Sequence, residues 1–179
     1  MKKILLKILA VVVSIIVILL ITAIFVKKDY AVEREITVHR SSDEVFNYLK
    51  HVKNQDNYSK WAMADPTMKK DFKGTDGTVG FVYAWDGNDE VGQGEQEIKN
   101  LEDGKRVNTE LRFKRPFESI AQVHMITESV SANDTKIKWG MEGRNPYPMN
   151  LMNLFMDGLL GKDLDKSLGK LKAILESDQ

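Results

Sequence analysis

The chain has 179 residues, 42% hydrophobic and 29% charged, the length and balance of one globular domain. It has no cysteine, which excludes disulfides, thiolate nucleophiles and cysteine-type zinc sites. Five of its 26 basic side chains fall within residues 1–28, so the remainder sets 21 basic against 26 acidic groups and lacks the basic face a nucleic-acid binder needs.

From Ile8 to Val26 no residue is charged, and only Ser14 and Thr22 are polar. A helix of that length spans about 28 Å, close to the thickness of a bilayer core, and closes its own backbone hydrogen bonds as lipid demands. A cleaved signal peptide would have a shorter apolar run ending in small residues, whereas this one ends Ala23-Ile24-Phe25-Val26. Residues 1–28 are therefore expected to be an uncleaved transmembrane anchor, with residues 4–26 meeting the bilayer. Lys2, Lys3 and Lys7 outnumber Lys27 and Lys28, which Asp29 follows, so the N-terminus is expected inside and the domain on the extracytoplasmic side. No Gly/Ser or Pro-rich linker follows, so the domain at 29–179 is expected close to the bilayer.

Residues 31–39 alternate Val32, Ile36 and Val38 with Glu33, Glu35 and Thr37, a half-buried strand. Ser41 with Glu44 is a capping-box pair that opens a short helix burying Val45, Phe46 and Leu49. Residues 51–66 are polar and broken, with Trp61 and Met63 as expected anchors and Asp65-Pro66 as the stop. Strand signals then come in series. Val79, Phe81, Tyr83 and Trp85 share one face. Gly92, Gly94, Gln96 and Ile98 oppose Glu95, Glu97 and Lys99. Val107, Thr109, Leu111 and Phe113 oppose Asn108, Glu110 and Arg112. Residues 117–130 are long enough to hold a bulge, and Ile137, Trp139 and Met141 form the last inner row. Short connections imply sequential antiparallel strands with one face covered. The cover is a helix predicted over 149–176, with Leu151, Leu154, Phe155, Leu164, Leu168, Leu171 and Leu175 as its stripe, and with Gly158 and Gly161 as a kink or a close approach. The fold class is α+β: one curved antiparallel sheet around a long C-terminal helix, plus the N-terminal transmembrane helix.

Several stretches resemble the START-like helix-grip superfamily, in its polyketide cyclase/dehydrase and lipid transport branch. They are ITVHRSSDEVFNYL (36–49), Trp61 followed by Asp65-Pro66, VGQGEQEI (91–98), DTKIKWGMEG (134–143) and GKDLDKSLGKLKAILE (161–176). The resemblance covers about residues 31–176. It implies a cavity for lipids, sterols, polyketides or similar molecules, with catalysis in only some members and no shared catalytic motif to transfer.

Asp86, Asn88, Glu90 and Glu97 fall at calcium-loop positions, but Val91 stands where the loop needs glycine, and both flanks are strand-like. Gly92-Gln93-Gly94 lacks the rest of a phosphate loop. The stretch reads as a hairpin with its glycines at bends. His39, His51 and His124 have no metal-ligand spacing; His124 turns inward only if its strand bulges. No metal site and no cofactor is expected. Phe81, Tyr83, Trp85, Leu111, Phe113, Trp139, Met141, Leu151 and Phe155 are the candidate ligand-binding residues, forming either a filled core or the wall of a cavity. The leading expectation is a membrane-anchored domain that binds a hydrophobic or amphipathic small molecule. A cyclase/dehydratase-like enzyme and a ligand-free interaction module are the alternatives.

Overall fold

Residues 2–177 are described in the computed structural model. The apolar N-terminal run forms helix α1, Lys2–Phe25, and strand β1, Asp29–Val38, starts four residues after it ends. Ser14 Oγ and Thr22 Oγ1 donate to the carbonyls of Ala10 and Ile18, each at 2.8 Å, so the polar groups of the run are satisfied within the helix. Among the described residues α1 alone is long and apolar enough to cross a membrane.

Helix α2, Ser42–Leu49, carries the expected cap: the Ser41 side chain accepts from the Glu44 amide and the Glu44 carboxylate accepts from the Ser41 amide. Val45, Phe46 and Leu49 are buried. The polar stretch that follows folds as a 3-10 turn, Val52–Asn54, and helices α3, Gln55–Tyr58, and α4, Lys60–Ala64. Here the buried anchors are Val52 and Tyr58; Trp61 is half-buried and Met63 is exposed. Short helices turn too often for a period to mark their inner side.

Strands β2, Lys69–Lys73, β3, Val82–Asp86, β4, Gln93–Glu102, β5, Arg106–Arg115, β6, Ser119–Ser129, and β7, Thr135–Arg144, form a meander, and β1 closes it beside β7, in the order β1-β7-β6-β5-β4-β3-β2. Every pairing is antiparallel. Inner positions alternate as expected through β4, β5, β6 and β7. Val79 is an exception: it precedes β3 behind Gly80, whose φ of 87° breaks the alternation, and it is exposed. The bulge allowed for in residues 117–130 is absent, whereas the bend expected at the glycines of the 86–97 stretch is present. β6 pairs without a register shift on either side, whereas β4 shifts against β5 at Gln93/Gly94 and at Ile98/Asn100. Gly92, with φ 64°, passes so close to the Arg115 carbonyl that no Cβ fits, and the curvature enters there.

The C-terminal segment begins with a 3-10 turn, Met149–Met152, and continues as helix α5, Asn153–Glu176. α5 packs on β1, α3 and α4, and buries Leu164, Leu168, Leu171 and Leu175 against the sheet. Leu154 and Phe155 are exposed, so the expected stripe holds only in the later turns. Gly161 is a close approach and not a kink: the Arg34 guanidinium lies across it, paired with Asp157 at 2.9 Å and Asp165 at 3.4 Å. On the outer face Arg112 binds Glu95, Glu97 and Glu110 at 2.6–2.8 Å. Arg112 holds the Glu97 carboxyl below its ordinary range, and Gln122 with Arg112 does the same for Glu110.

Candidate functional site

The curved sheet does not close fully on α5. A cavity of about 1050 Å³ remains between its inner face, α4 and the start of α5. Strand alternation puts Tyr83 and Trp85 of β3, Leu111 and Phe113 of β5, and Trp139 and Met141 of β7 on its wall. The ring pairs are edge-on: Trp85 with Phe113 at 5.9 Å between centroids, and Trp61 with Trp139 at 6.1 Å. Edge-on rings fix one another, so the wall is held by its own packing.

Three candidate residues lie outside this wall. Phe81 is buried in a second cluster with Val52, Met68, Tyr83 and Ile98. It shares the inner face of Tyr83, but there the sheet edge is covered by the 3-10 turn after α2. Neither Leu151 nor Phe155 lines the cavity; Phe155 is 64% exposed, whereas its neighbour Met156 and Leu160 line it. Sequence reasoning passed over Gln96 and Val123. Both sit at inner positions of their strands, and the alternation of β4 and β6 was the available signal.

Polar groups are few and mostly engaged. Tyr83 Oη donates to Asp56 Oδ1 at 2.6 Å, and Asp56 Oδ2 is paired with Lys70 Nζ at 2.8 Å. Burial and the adjoining Asp56 both push the Tyr83 hydroxyl up, so it keeps its proton at physiological pH. Gln96 Nε2 donates to Thr109 Oγ1 at 2.8 Å, and Trp85 Nε1 donates to the Val91 carbonyl at 3.1 Å. Trp139 Nε1 is buried with no hydrogen-bond partner among the described residues. The charged residues bordering the cavity, Glu90, Lys114, Arg115, Glu118 and Arg144, are all exposed and mark a rim. That rim stands at the end of the sheet where β1 begins and β7 ends. His124 is not part of the site: it faces outward, with Nε2 2.7 Å from Glu33 Oε2. Among the described residues no cluster of His, Cys, Asp or Glu has the makings of a metal site. The 86–92 segment is a hairpin, in which the Gly87 amide donates to the Gly92 carbonyl and Asn88 Oδ1 accepts from the Glu90 and Val91 amides.

The model of the family described as polyketide cyclase / dehydrase and lipid transport matches residues 30–176. The chain belongs to that family. No curated protein matches it significantly in sequence. Among solved structures, norcoclaurine synthase from Thalictrum flavum, in complex with dopamine and hydroxybenzaldehyde, is similar at a TM-score of 0.65 and 10% identity, over 84% of this chain and 88% of that one. A protein from Chromobacterium violaceum matches at 0.58 and 11% identity, over 82% and 96%. DynU16, from the dynemicin biosynthetic locus, matches at 0.57 and 16% identity, over 83% of this chain; the chain spans only 48% of DynU16. At these identities the likeness is one of fold, and this member of the family adds α1 ahead of it.

Proposed function

We propose that this family member is a binding domain, residues 29–179, carried on a membrane anchor, residues 1–28, and that it takes a hydrophobic or amphipathic small molecule of lipid-like size into the cavity between sheet and α5. The observation that carries the reading is the cavity itself: about 1050 Å³, walled by aromatic, Leu and Met side chains, with its charges confined to the rim. Such a wall supplies affinity by apolar burial, and the few polar groups orient the ligand. The candidate contacts are Tyr83, Trp85, Leu111, Phe113, Trp139 and Met141. Native mass spectrometry of the full chain released from detergent micelles tests the proposal. Copurified or added lipid-like molecules bound one to one are expected; a chain that stays empty across fatty acids, phospholipids and isoprenoids would overturn it.

The anchor has its own support. Ala23 is 1% exposed, and Asn150 Nδ2 donates to the carbonyls of Ala23 and Val26 at 2.7 and 2.8 Å. Asn153 Nδ2 donates to those of Lys27 and Lys28 at 2.9 Å. The end of α1 is thus built into the fold, where a leader removed by a peptidase would be an extended substrate. The lysine distribution favours the domain outside the cytoplasm; protease accessibility in intact cells tests that side. The cyclase/dehydrase alternative draws on Tyr83 at the wall, with Asp56 and Lys70 behind it. With its proton held, Tyr83 serves better as a hydrogen-bonding group than as a base, and this favours binding.

A further inference from the structure

The rim of the cavity and the end of α1 share one piece of chain. Asn150, fully buried, bonds to the carbonyls of the last apolar turn of α1, and its neighbours Met149 and Met152 in the same 3-10 turn border the cavity and are exposed. Asn153, the first residue of α5, holds the two residues that precede β1. With a rise of 1.5 Å per residue, a turn bonded to both Ala23 and Val26 stands level with the final turn of the apolar run. If α1 lies in a bilayer, the Met149–Met152 turn is therefore at its interface. The side chains around it suit that position. Phe117, Met149, Met152, Leu154, Phe155 and Leu159 are all exposed, Phe117 by 69%, on the 3-10 turn, the first turns of α5 and the β5–β6 connection. Scattered apolar side chains are ordinary on a surface; here Phe117, Met149 and Met152 border the cavity mouth and Leu154, Phe155 and Leu159 follow on the next turns of α5, beside the end of an apolar helix, a patch that calls for a cover. Lys27, Lys28, Lys114, Arg115 and Arg144 lie around the same end of the fold, where headgroup phosphates would meet them.

We infer that this patch docks on the surface of the bilayer that holds α1, so that the mouth of the cavity faces lipid and its ligand enters and leaves without crossing bulk water. The inference rests on the anchored-cavity reading and adds to it a fixed orientation, set by Asn150 and Asn153.

Because the chain has no cysteine, single cysteines can report depth. The full chain with Met152→Cys or Phe155→Cys, labelled with an environment-sensitive fluorophore, is reconstituted into phosphatidylcholine vesicles carrying nitroxide-labelled phosphatidylcholine. Asn133→Cys, in the β6–β7 turn at the far end of the sheet, is the reference, and Ile16→Cys reports insertion of α1. Quenching several-fold stronger at 152 and 155 than at 133 is expected. Leu154→Asp with Leu159→Asp, neither of which lines the cavity, should cut the quenching at 152 roughly tenfold, because two interfacial apolar side chains are lost. Quenching at 16 with none above reference at 152 and 155 overturns the docking and leaves the anchor standing. No quenching at 16 overturns both. The measurement needs no ligand, so an empty cavity would count against the binding reading alone.

Discussion

A cavity and a filled core respond oppositely to a larger side chain, and Val123→Phe distinguishes them. Val123 is buried on β6 and lines the cavity, whereas Ile137, on β7, is fully buried in the main cluster away from it. In a close-packed core an oversized side chain costs about 1–3 kcal/mol, because neighbours must leave their rotamers. Ile137→Phe should show that cost. At Val123 the ring enters open space: burying a further ~40 Å² of apolar surface at about 25 cal/mol per Å² contributes about 1 kcal/mol. Thermal melts of the full chain in detergent should therefore move apart, with Val123→Phe unchanged or up by about 2–4 °C and Ile137→Phe down by a similar or larger amount. Ligand capacity should move the other way, falling in Val123→Phe and persisting in whatever folded Ile137→Phe remains. A Val123→Phe chain destabilised as much as Ile137→Phe would mean that the space is filled by relaxed side chains, and would refute the cavity.

Asn150→Ala removes two hydrogen bonds to buried or half-buried carbonyls and should lower stability by about 1–3 kcal/mol in guanidinium titrations, while the more exposed Asn153→Ala should cost less. Gly169→Ala, which meets nothing in space, should stabilise α5 by about 1 kcal/mol, whereas Gly161→Ala, whose new carbon would strike the Arg34 guanidinium, should gain less in the same melts. Arg112→Gln should leave Glu95, Glu97 and Glu110 facing one another and cost about 1 kcal/mol at pH 7 after solvent screening. Because the folded-state pKa values of Glu97 and Glu110 lie below their unfolded ones, their contribution is present above the unfolded value and is lost as pH falls through the folded one; urea midpoints should show the Arg112→Gln deficit at pH 7 shrinking below about pH 4.

The strand rows were legible because a period of two is imposed by one buried face, and the inner residues of β4, β5, β6 and β7 fell where alternation put them. The capping box was legible because it is local chemistry between Ser41 and Glu44. What alternation cannot tell is what an inner residue meets. Phe81 and Tyr83 share a face, yet Phe81 sits under the turn after α2 and Tyr83 reaches the cavity, a division made by residues some thirty positions earlier in the chain. Helical period fails in the same way at Leu154 and Phe155: an apolar residue looks alike in sequence whether it meets a core, a ligand or lipid. Gln96 fell on the inner row by alternation, but its place at the cavity depends on Thr109 across the β4–β5 pair, which accepts from its side-chain amide. The bend at Gly92 was legible because glycine inside a strand marks such a point, and its left-handed backbone sits where β4 shifts against β5; strand length alone, the signal used for a bulge in β6, was not enough.

The asparagines couple α1 to the cavity, and on the proposed reading of α1 as an anchor the coupling bears on what affinity the cavity needs. A carrier that diffuses must hold its ligand through water, which requires tight burial and a mouth that shuts. A cavity fixed at the bilayer meets membrane ligands as an intramolecular event, at an effective concentration set by the geometry of the tether and not by the ligand's solubility. Weak, exchangeable binding then suffices, and an apolar wall with few polar contacts supplies it. The coupling also sets a limit: if α1 is the proposed anchor and Asn150 and Asn153 hold it rigidly, the mouth serves only the membrane that holds α1. A flexible insert at the Lys27–Lys28 junction together with Asn150→Ala and Asn153→Ala would remove those hydrogen bonds and release the orientation, while leaving the wall residues from Tyr83 to Met141 intact. A loss of membrane proximity at Met152 with unchanged ligand binding in detergent would assign the two properties to separate parts of the chain.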